Sequence, residues 1–315
     1  MRTRCGPRLA PRSTRSPEPR PVRTGFGDPA CQRRPRGAGS GCQDGAMTSP
    51  TSPTTRPEPD PATVDLTIEG TWNARDAASL TGVAPRVLLR TAALQGLTDA
   101  GRSTLLELGV TDVVDLRSDP EMANQGGDAV PDGVTVHRLA ISPGAALAGQ
   151  IGGAGPDPAV MAQFLELLRQ PGWAQEFMVG IYREIVADAA SAAQLGAGLR
   201  VIARAEGATV VHCSAGKDRT GVLVALACTV ADVPAERIEQ DFLWSNRASA
   251  AQAAVIPELP GLDPALLEPF LGVSIDGLRA AEQAVTDTYG GMDSFLAAVG
   301  VGGNDVERLR GRLLG

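Results

Sequence analysis

Lysine is all but missing from this chain: Lys217 is the only one, against 28 arginines (29 Lys and Arg in all). Histidine is limited to His137 and His212, and aromatic residues make up 3% of the sequence. A core must therefore be assembled from Ala, Val, Leu and Ile, and the 43% hydrophobic content permits a substantial one. Cysteine is too sparse for a disulfide framework. Cys5, Cys31 and Cys42 lie in a basic leader, and only Cys213 and Cys228 follow. This pattern suits a reducing interior, and a cytoplasmic location is expected. No stretch approaches the roughly 18 apolar residues that span a bilayer, so no transmembrane segment is expected.

Negative charge is also scarce at one end. Residues 1–46 carry ten Arg against Glu18, Asp28 and Asp44, a net of +7. With −7 overall, the remainder carries −14, since −7 − 7 = −14. So acidic a body argues against general nucleic-acid binding, and any anion site in it must be a local positive feature. The leader has no apolar segment and is not a secretory signal as written. Its Pro, Gly, Arg and Ser cannot offset the entropy of ordering, so residues 1–62 are expected to be disordered and 63–315 to form one domain. Two readings of the leader stay open: a basic tail that touches acidic partners, or a translation start at Met47.

From Val64 the pattern alternates between strands and helices. Strands are expected at "TVDLTIEG" (63–70), "VLLRTAAL" (87–94), "VTDVVDLRS" (110–118, ending in a polar loop), "GVTVHRLA" (133–140) and "GATVVH" (207–212). Helices are expected after Thr98 or Asp99, over 158–169, 173–188, 191–206, 219–233 and from Pro234, with an all-helical remainder capped at Ser274 and Asn304. Residues 141–156, glycine-rich and uncharged, read as a mobile loop. The alternation predicts an α/β fold, a central sheet flanked by helices.

The scarce residues gather in "TVVHCSAGKDRTGVLVALACTV" (209–230): the sole lysine, one of two histidines and both cysteines of the body. A strand leads into HCSAGKDR and an apolar helix follows, which is where open α/β folds place ligand sites. Backbone N–H groups from Ser214 through Ala215, Gly216, Lys217 and Asp218 to Arg219, with the first helical turn, make an anion cradle. Gly216 is free to take a positive φ. Cys213 stands at its base, and a thiol there, near cations, has its pKa lowered to roughly 3.5–7.5. Arg219 offers a planar fork for two phosphoryl oxygens. Asp218 at the rim is a candidate acid and base, Lys217 a second cation at the mouth, Thr220 a donor to the Cys213 sulfur and His212 a support for the loop through its ring N–H. The bland alternative, a small buried Cys before a helix, is the reading for Cys228. His137 reads as structural.

"HCSAGKDRTG" resembles the signature of cysteine-dependent phosphatases, and more narrowly the bacterial family typified by mycobacterial protein-tyrosine phosphatase B. "GTWNARD" (70–76), "LLRTAALQGLTDAGRSTLLELGVTDVVDLRS", "DFLWSN" and the closing "YGGMDSFLAAVGVGGNDVERLRGRLLG" fit as well, so the likeness covers about residues 66–315. It implies a cysteine-phosphatase-like sheet with a helical lid, which falls here on the 141–156 loop and the proline-broken helices at 250–272, Cys213 as nucleophile, Arg219 as phosphate clamp, Asp218 as acid, and no metal or cofactor. It implies phosphotyrosine as substrate, with phosphoserine, phosphothreonine or phosphoinositides beside it through Lys217, and allows non-classical secretion. Arg75, Asp76, Arg90, Asp115, Arg117, Asp241 and Asn246 fall in matched segments; each either orients the loop or simply pairs within the fold. One departure stands out. The family type carries a Pro-Asp step after the strand matched by "TVHRLA"; here it is Pro143-Gly144, and no Asp or Glu occurs between Asp132 and Asp157. Two other functions compete with hydrolysis. One is a catalytically weak pseudophosphatase that binds phosphate without turnover. The other is a sulfur or arsenate redox enzyme, for which Cys228 is poorly placed as a partner thiol.

Overall fold

The computed structural model describes residues 59–144, 158–253 and 263–315. In chain order the elements are α1 (Pro61–Val64), β1 (Arg75–Asp76), α2 (Ala78–Thr81), β2 (Leu88–Thr91), α3 (Asp99–Glu107), β3 (Val110–Asp115), α4 (Asp119–Gln125) and β4 (Thr135–Arg138). They continue with α5 (Pro158–Leu168), α6 (Trp173–Ala187), α7 (Ala189–Arg204), β5 (Ala208–His212), α8 (Asp218–Val230) and α9 (Ala235–Trp244). The last are α10 (Ser249–Ala253), α11 (Glu268–Leu271), α12 (Ile275–Tyr289), α13 (Met292–Ala298) and α14 (Gly303–Leu314).

The sheet runs β1-β2-β5-β3-β4, antiparallel at β1 and parallel elsewhere. Its centre is β5, the last strand in sequence, inserted between β2 and β3. All five of its residues are buried, because helices or loops cover both faces. Successive side chains alternate sides. Leu88, Val114 and Val211 join the larger core, with Ile185 of α6, Leu195 and Leu199 of α7, Leu223 of α8 and Leu278 of α12. Leu89, Val113 and Val210 face the other way, toward Leu94, Leu97 and Leu105. Helix α8 is buried nearly all round, which its unbroken apolar sequence requires. Among the described residues no single helix is long and apolar enough to cross a membrane.

Several expectations give way. "TVDLTIEG" is not a strand. Pro61 opens a helical turn that Asp60 caps through the Ala62 N–H (3.0 Å), and only Asp65 touches the sheet, as an isolated bridge to Arg75. That turn also means that order begins before residue 63; the rest of the expected disordered leader, through residue 58, lies outside the described residues. The polar loop after β3 contains α4, whose capping box joins Ser118 and Glu121, a signal legible as S-x-x-E. Asn304 is not a cap: it lies inside α14, whose N-cap is Gly302 with no side-chain cap bond, whereas Ser274 caps α12 through the Gly277 N–H. Of the glycine-rich 141–156 segment, residues 145–156 lie outside the described residues.

Four of the eleven aromatic residues lie together. Phe164 of α5, Trp173 and Phe177 of α6 and Phe270 of α11 form one cluster, with neighbouring ring centroids 5.0–6.3 Å apart. The cluster ties α11, in the expected lid region, to α6.

Candidate active site

Strand β5 delivers His212 to the carboxyl edge of the sheet, and the chain then turns through Cys213–Lys217 into α8. Cys213 is 1% exposed. Gly216 holds φ at +66°, and a Cβ there would lie 2.0 Å from the Thr91 carbonyl oxygen, so only glycine lets the loop rest on β2.

The loop carbonyls are pulled outward. Arg90 Nη2 donates to the Gly216 and Lys217 carbonyls (2.9 and 3.2 Å). Asn73 Nδ2 donates to those of Ala215 and Gly216 (3.0 and 3.1 Å). With the carbonyls turned away, the amides of Ser214, Ala215, Gly216 and Lys217 meet no protein acceptor among the described residues. The first-turn amides of α8 adjoin them, unpaired by helix geometry. This is an anion nest.

Asp241 organises both carbonyl-binding arms. Its carboxylate accepts from Arg75 Nε (2.8 Å) and Arg90 Nη1 (2.6 Å), and Ser245 Oγ accepts from both arginines. Arg75 in turn donates to Asn73 Oδ1 (2.8 Å). All three charged groups are buried. Burial opposes ionisation of Asp241, but the charges and hydrogen bonds of Arg75 and Arg90 overcome it and hold the carboxyl below its usual range. Burial, aided by Arg90, brings Arg75 down to about 10, still cationic at neutral pH. Two cations against one anion leave a buried positive excess behind the nest.

Arg219 is gripped on one edge. Its Nη1 and Nη2 each donate to a Glu121 oxygen at 2.6 Å, and Nη1 also reaches the Leu116 and Ile141 carbonyls. Its Nε has no acceptor among the described residues, which leaves the Nε edge for a ligand. Glu121 also accepts from Ser214 Oγ (2.6 Å) and from Ser118. Burial raises its proton affinity, but the Arg219, Ser214 and Ser118 bonds more than offset this and bring the carboxyl down to about 2.

A folded-state pKa depressed from 4.5 to about 2 stabilises the fold above pH 4.5, and that stability is lost as pH falls from 4.5 toward 2. Its scale is about 3 kcal/mol. Glu121→Gln is therefore expected to cost stability at pH 7, and the gap to the parent to narrow below pH 4.5 and close near pH 2. Denaturant titrations of both proteins across that range check it; a difference that persists undiminished in acid contradicts it.

His212 bridges the Cys213 carbonyl (Nδ1, 3.2 Å) and Asp128 (Nε2, 2.9 Å). Asp115, Asp128 and His212 offer ligand atoms within 4.8 Å of one another. Both carboxylates are already bonded by Arg117, and Asp115 by Arg138 as well, so a dication there would face two guanidiniums.

Lys217, Thr220 and Asp76 sit differently from the sequence reading, whereas His137 and Cys228 sit as read. Lys217 is not at the mouth. It is 3% exposed and turns its ammonium to the Phe270 and Gly272 carbonyls at the end of α11, with Asp218 Oδ2 3.8 Å away. Burial lowers its pKa, while the Asp218 and Cys213 charges oppose the shift. The structure thus uses the chain's one lysine to join the loop to the lid region, where Asn246 also holds the Val273 backbone. Thr220 Oγ1 is buried without a hydrogen-bond partner, so it is not donated to the Cys213 sulfur. Asp76 does not reach the loop; it caps the Ala78 and Arg86 amides. His137 pairs with Asp112 on the sheet edge, away from the loop. Cys228 is a core residue whose thiol burial pushes up to about 12. Where the matched family type has an acid after β4, Gly144 takes φ +67°, and its N–H donates to Glu184 of α6 at 2.8 Å.

Sequence reasoning missed Asn73, Glu121, Gln125, Asp128, Tyr182 and Ser245. Only Glu121 had a local signal, the capping box. Gln125 reaches Ser214 Oγ (3.0 Å), and Tyr182 donates to Asp218. The others belong to elements far from the loop in sequence.

Comparison with known proteins agrees with this geometry. The tyrosine phosphatase family profile matches residues 66–315. Triple specificity protein phosphatase PtpB of Mycobacterium tuberculosis is 35% identical over 278 residues, 79% of this chain and 98% of its own length. A tyrosine-protein phosphatase of Nostoc commune is 27% identical over 75% of this chain and 77% of its own. With Cys213 at the base of an anion nest and a match across nearly all of the described residues, the chain belongs to the tyrosine phosphatase family and is a phosphatase.

Proposed function

We propose that the enzyme hydrolyses phosphomonoesters through a cysteinyl-phosphate intermediate. The observation that carries this reading is the set of four loop amides that meet no protein acceptor among the described residues, with Cys213 at their base and the Nε edge of Arg219 beside them. The nest and the guanidinium neutralise and orient the phosphoryl group. The Cys213 sulfur forms a bond to phosphorus as the ester P–O bond breaks, and the leaving oxygen takes a proton from Asp218. Water then attacks phosphorus, gives its proton to the Asp218 carboxylate, and the P–S bond breaks to return the sulfur.

The substrates proposed are phosphotyrosine in proteins, with phosphoserine, phosphothreonine and phosphoinositides as further members. The M. tuberculosis relative's name, a triple specificity phosphatase, supports breadth. Pro143-Gly144 leaves Asp218 as the proton carrier proposed here. Asp218→Asn should then slow alkyl phosphates by about 10²- to 10⁴-fold, yet act far less on p-nitrophenyl phosphate, whose leaving group needs little protonation. Acid quench of the parent during turnover, followed by mass spectrometry, should find phosphate on the peptide containing Cys213. Equal losses on both esters reject the acid assignment. Phosphate binding by the native chain without turnover leaves the pseudophosphatase reading.

A further inference from the structure

Tyr182 projects from α6 into the core and is 1% exposed. Its ring lies edge-on to Phe242, with centroids 5.8 Å apart and planes at 70°. On another side it meets Gly277 of α12, where a Cβ would come within 2.7 Å of Cδ2 and Cε2. Three elements thus fix one ring. A phenylalanine would satisfy all of that packing, so the hydroxyl needs its own explanation. Buried tyrosine hydroxyls find a partner, and this one donates to Asp218 Oδ1 at 2.5 Å. A hydroxyl required only for packing is satisfied by any nearby backbone carbonyl; here the acceptor is the carboxylate beside the nucleophile.

We infer that Tyr182 is a positioning residue for the proton-transfer step: it commits Oδ1 of Asp218, so that the transferred proton travels on Oδ2. This rests on the assignment of Asp218 as acid and base. The phenol is built to stay protonated. Burial raises its pKa well above the ordinary value, and the Asp218 charge and hydrogen bond and the Cys213 charge add to that, with Arg90 alone opposing. A fixed donor on Oδ1 has two effects. It stops the carboxyl rotating between equivalent oxygens, and it stabilises the carboxylate left after the proton departs. Oδ2 faces Lys217 Nζ at 3.8 Å, which adds a cation on the side where the proton leaves. Sequence spacing gave no hint of the pair, since 36 positions separate its members.

The test is a cycle of Tyr182→Phe, Asp218→Asn and the double variant, assayed on p-nitrophenyl phosphate and on an alkyl phosphate. Tyr182→Phe is expected to keep its rate on p-nitrophenyl phosphate and to lose about ten- to hundredfold in kcat on the alkyl ester, the worth of a hydrogen bond to a charged group, with KM unchanged. The double variant should be no slower than Asp218→Asn, because the hydroxyl acts through the carboxylate. A packing role alone would lower both rates together or raise KM. If Asp218→Asn is selective while Tyr182→Phe slows both esters equally, slows neither, or adds its full loss to that of Asp218→Asn, the inference about Tyr182 is wrong and the acid assignment stands. If Asp218→Asn itself is unselective, both fall. Thermal melts of all variants confirm that folded protein is compared.

Discussion

Cys213→Ser should lower kcat by about 10⁴- to 10⁶-fold, the scale on which loss of a nucleophile acts, while the protein continues to bind inorganic phosphate. The two halves of this result have separate causes. On the proposed route turnover requires a sulfur at the base of the nest, and among the described residues the one other cysteine cannot take its place. Cys228 is fully buried in α8, its thiol pushed up to about 12 by burial and the Asp241 charge, and it does not open to the loop. Binding requires the amides of Ser214–Lys217 and the Arg219 guanidinium, none of which the substitution touches. Their arrangement is held by Arg90 and Asn73 from outside the loop, not by the thiol. A sensitive assay with p-nitrophenyl phosphate measures the first half and equilibrium titration with inorganic phosphate the second. Turnover at a few per cent of the parent rate or more would remove the cysteinyl-phosphate route. Loss of phosphate binding in a folded protein would mean that the nest is not the phosphate site.

The second large effect is expected behind the loop, at Asp241. Asp241→Asn should destabilise the protein by about 3–5 kcal/mol, because it leaves buried guanidiniums without their counter-charge. Arg75 and Arg90 are fully buried and share this one carboxylate, and an asparagine amide turned toward either would set donor against donor. The loss should also appear in catalysis. Arg90 spans Asp241 and the Gly216 and Lys217 carbonyls, and Arg75 reaches the loop through Asn73. Once these arms loosen, the amides no longer converge, and kcat should fall even where the variant is fully folded. The parent should show the same dependence in acid. A folded-state pKa held below 3.8 means that the carboxylate's contribution is present above that value and lost as pH falls below it. Urea unfolding at pH 7 with kinetics at low denaturant checks both parts. A variant within about 1 kcal/mol of the parent would show that the two arginines do not depend on Asp241.

Much of the fold was legible because its signals are local. Strand β5 is a short apolar segment entered from Gly207, helix α8 is a long apolar segment that ends ahead of Pro234, and Thr98 announces α3 by capping it through the Gly101 N–H. The misplaced strand at 63–70 shows the limit. Its alternating apolar residues read as a strand, yet Pro61 and the Asp60 cap turned the first of them into a helix. The overlooked α4 shows the converse, a clear S-x-x-E signal hidden in a segment too polar and short to attract attention. Lys217 shows a different kind of gap. Its rarity marked it as special, but rarity carries no direction, and the ammonium faces the α11 carbonyls and not the mouth.

Taken by itself, the order of residues determined which groups the proposed reaction draws on. Cys213 and Arg219 stand six positions apart on a strand-loop-helix turn, and local backbone geometry suffices to bring such a pair to one centre. Tertiary structure alone decided what aims them: Glu121 on Arg219, Asn73 and Arg90 on the loop carbonyls, Asp128 on His212 and Tyr182 on Asp218. These partners lie 36 to 143 residues from the groups they hold. Their meeting depends on a sheet whose last strand is inserted at its centre, and no sequence period or spacing encodes a contact of that kind.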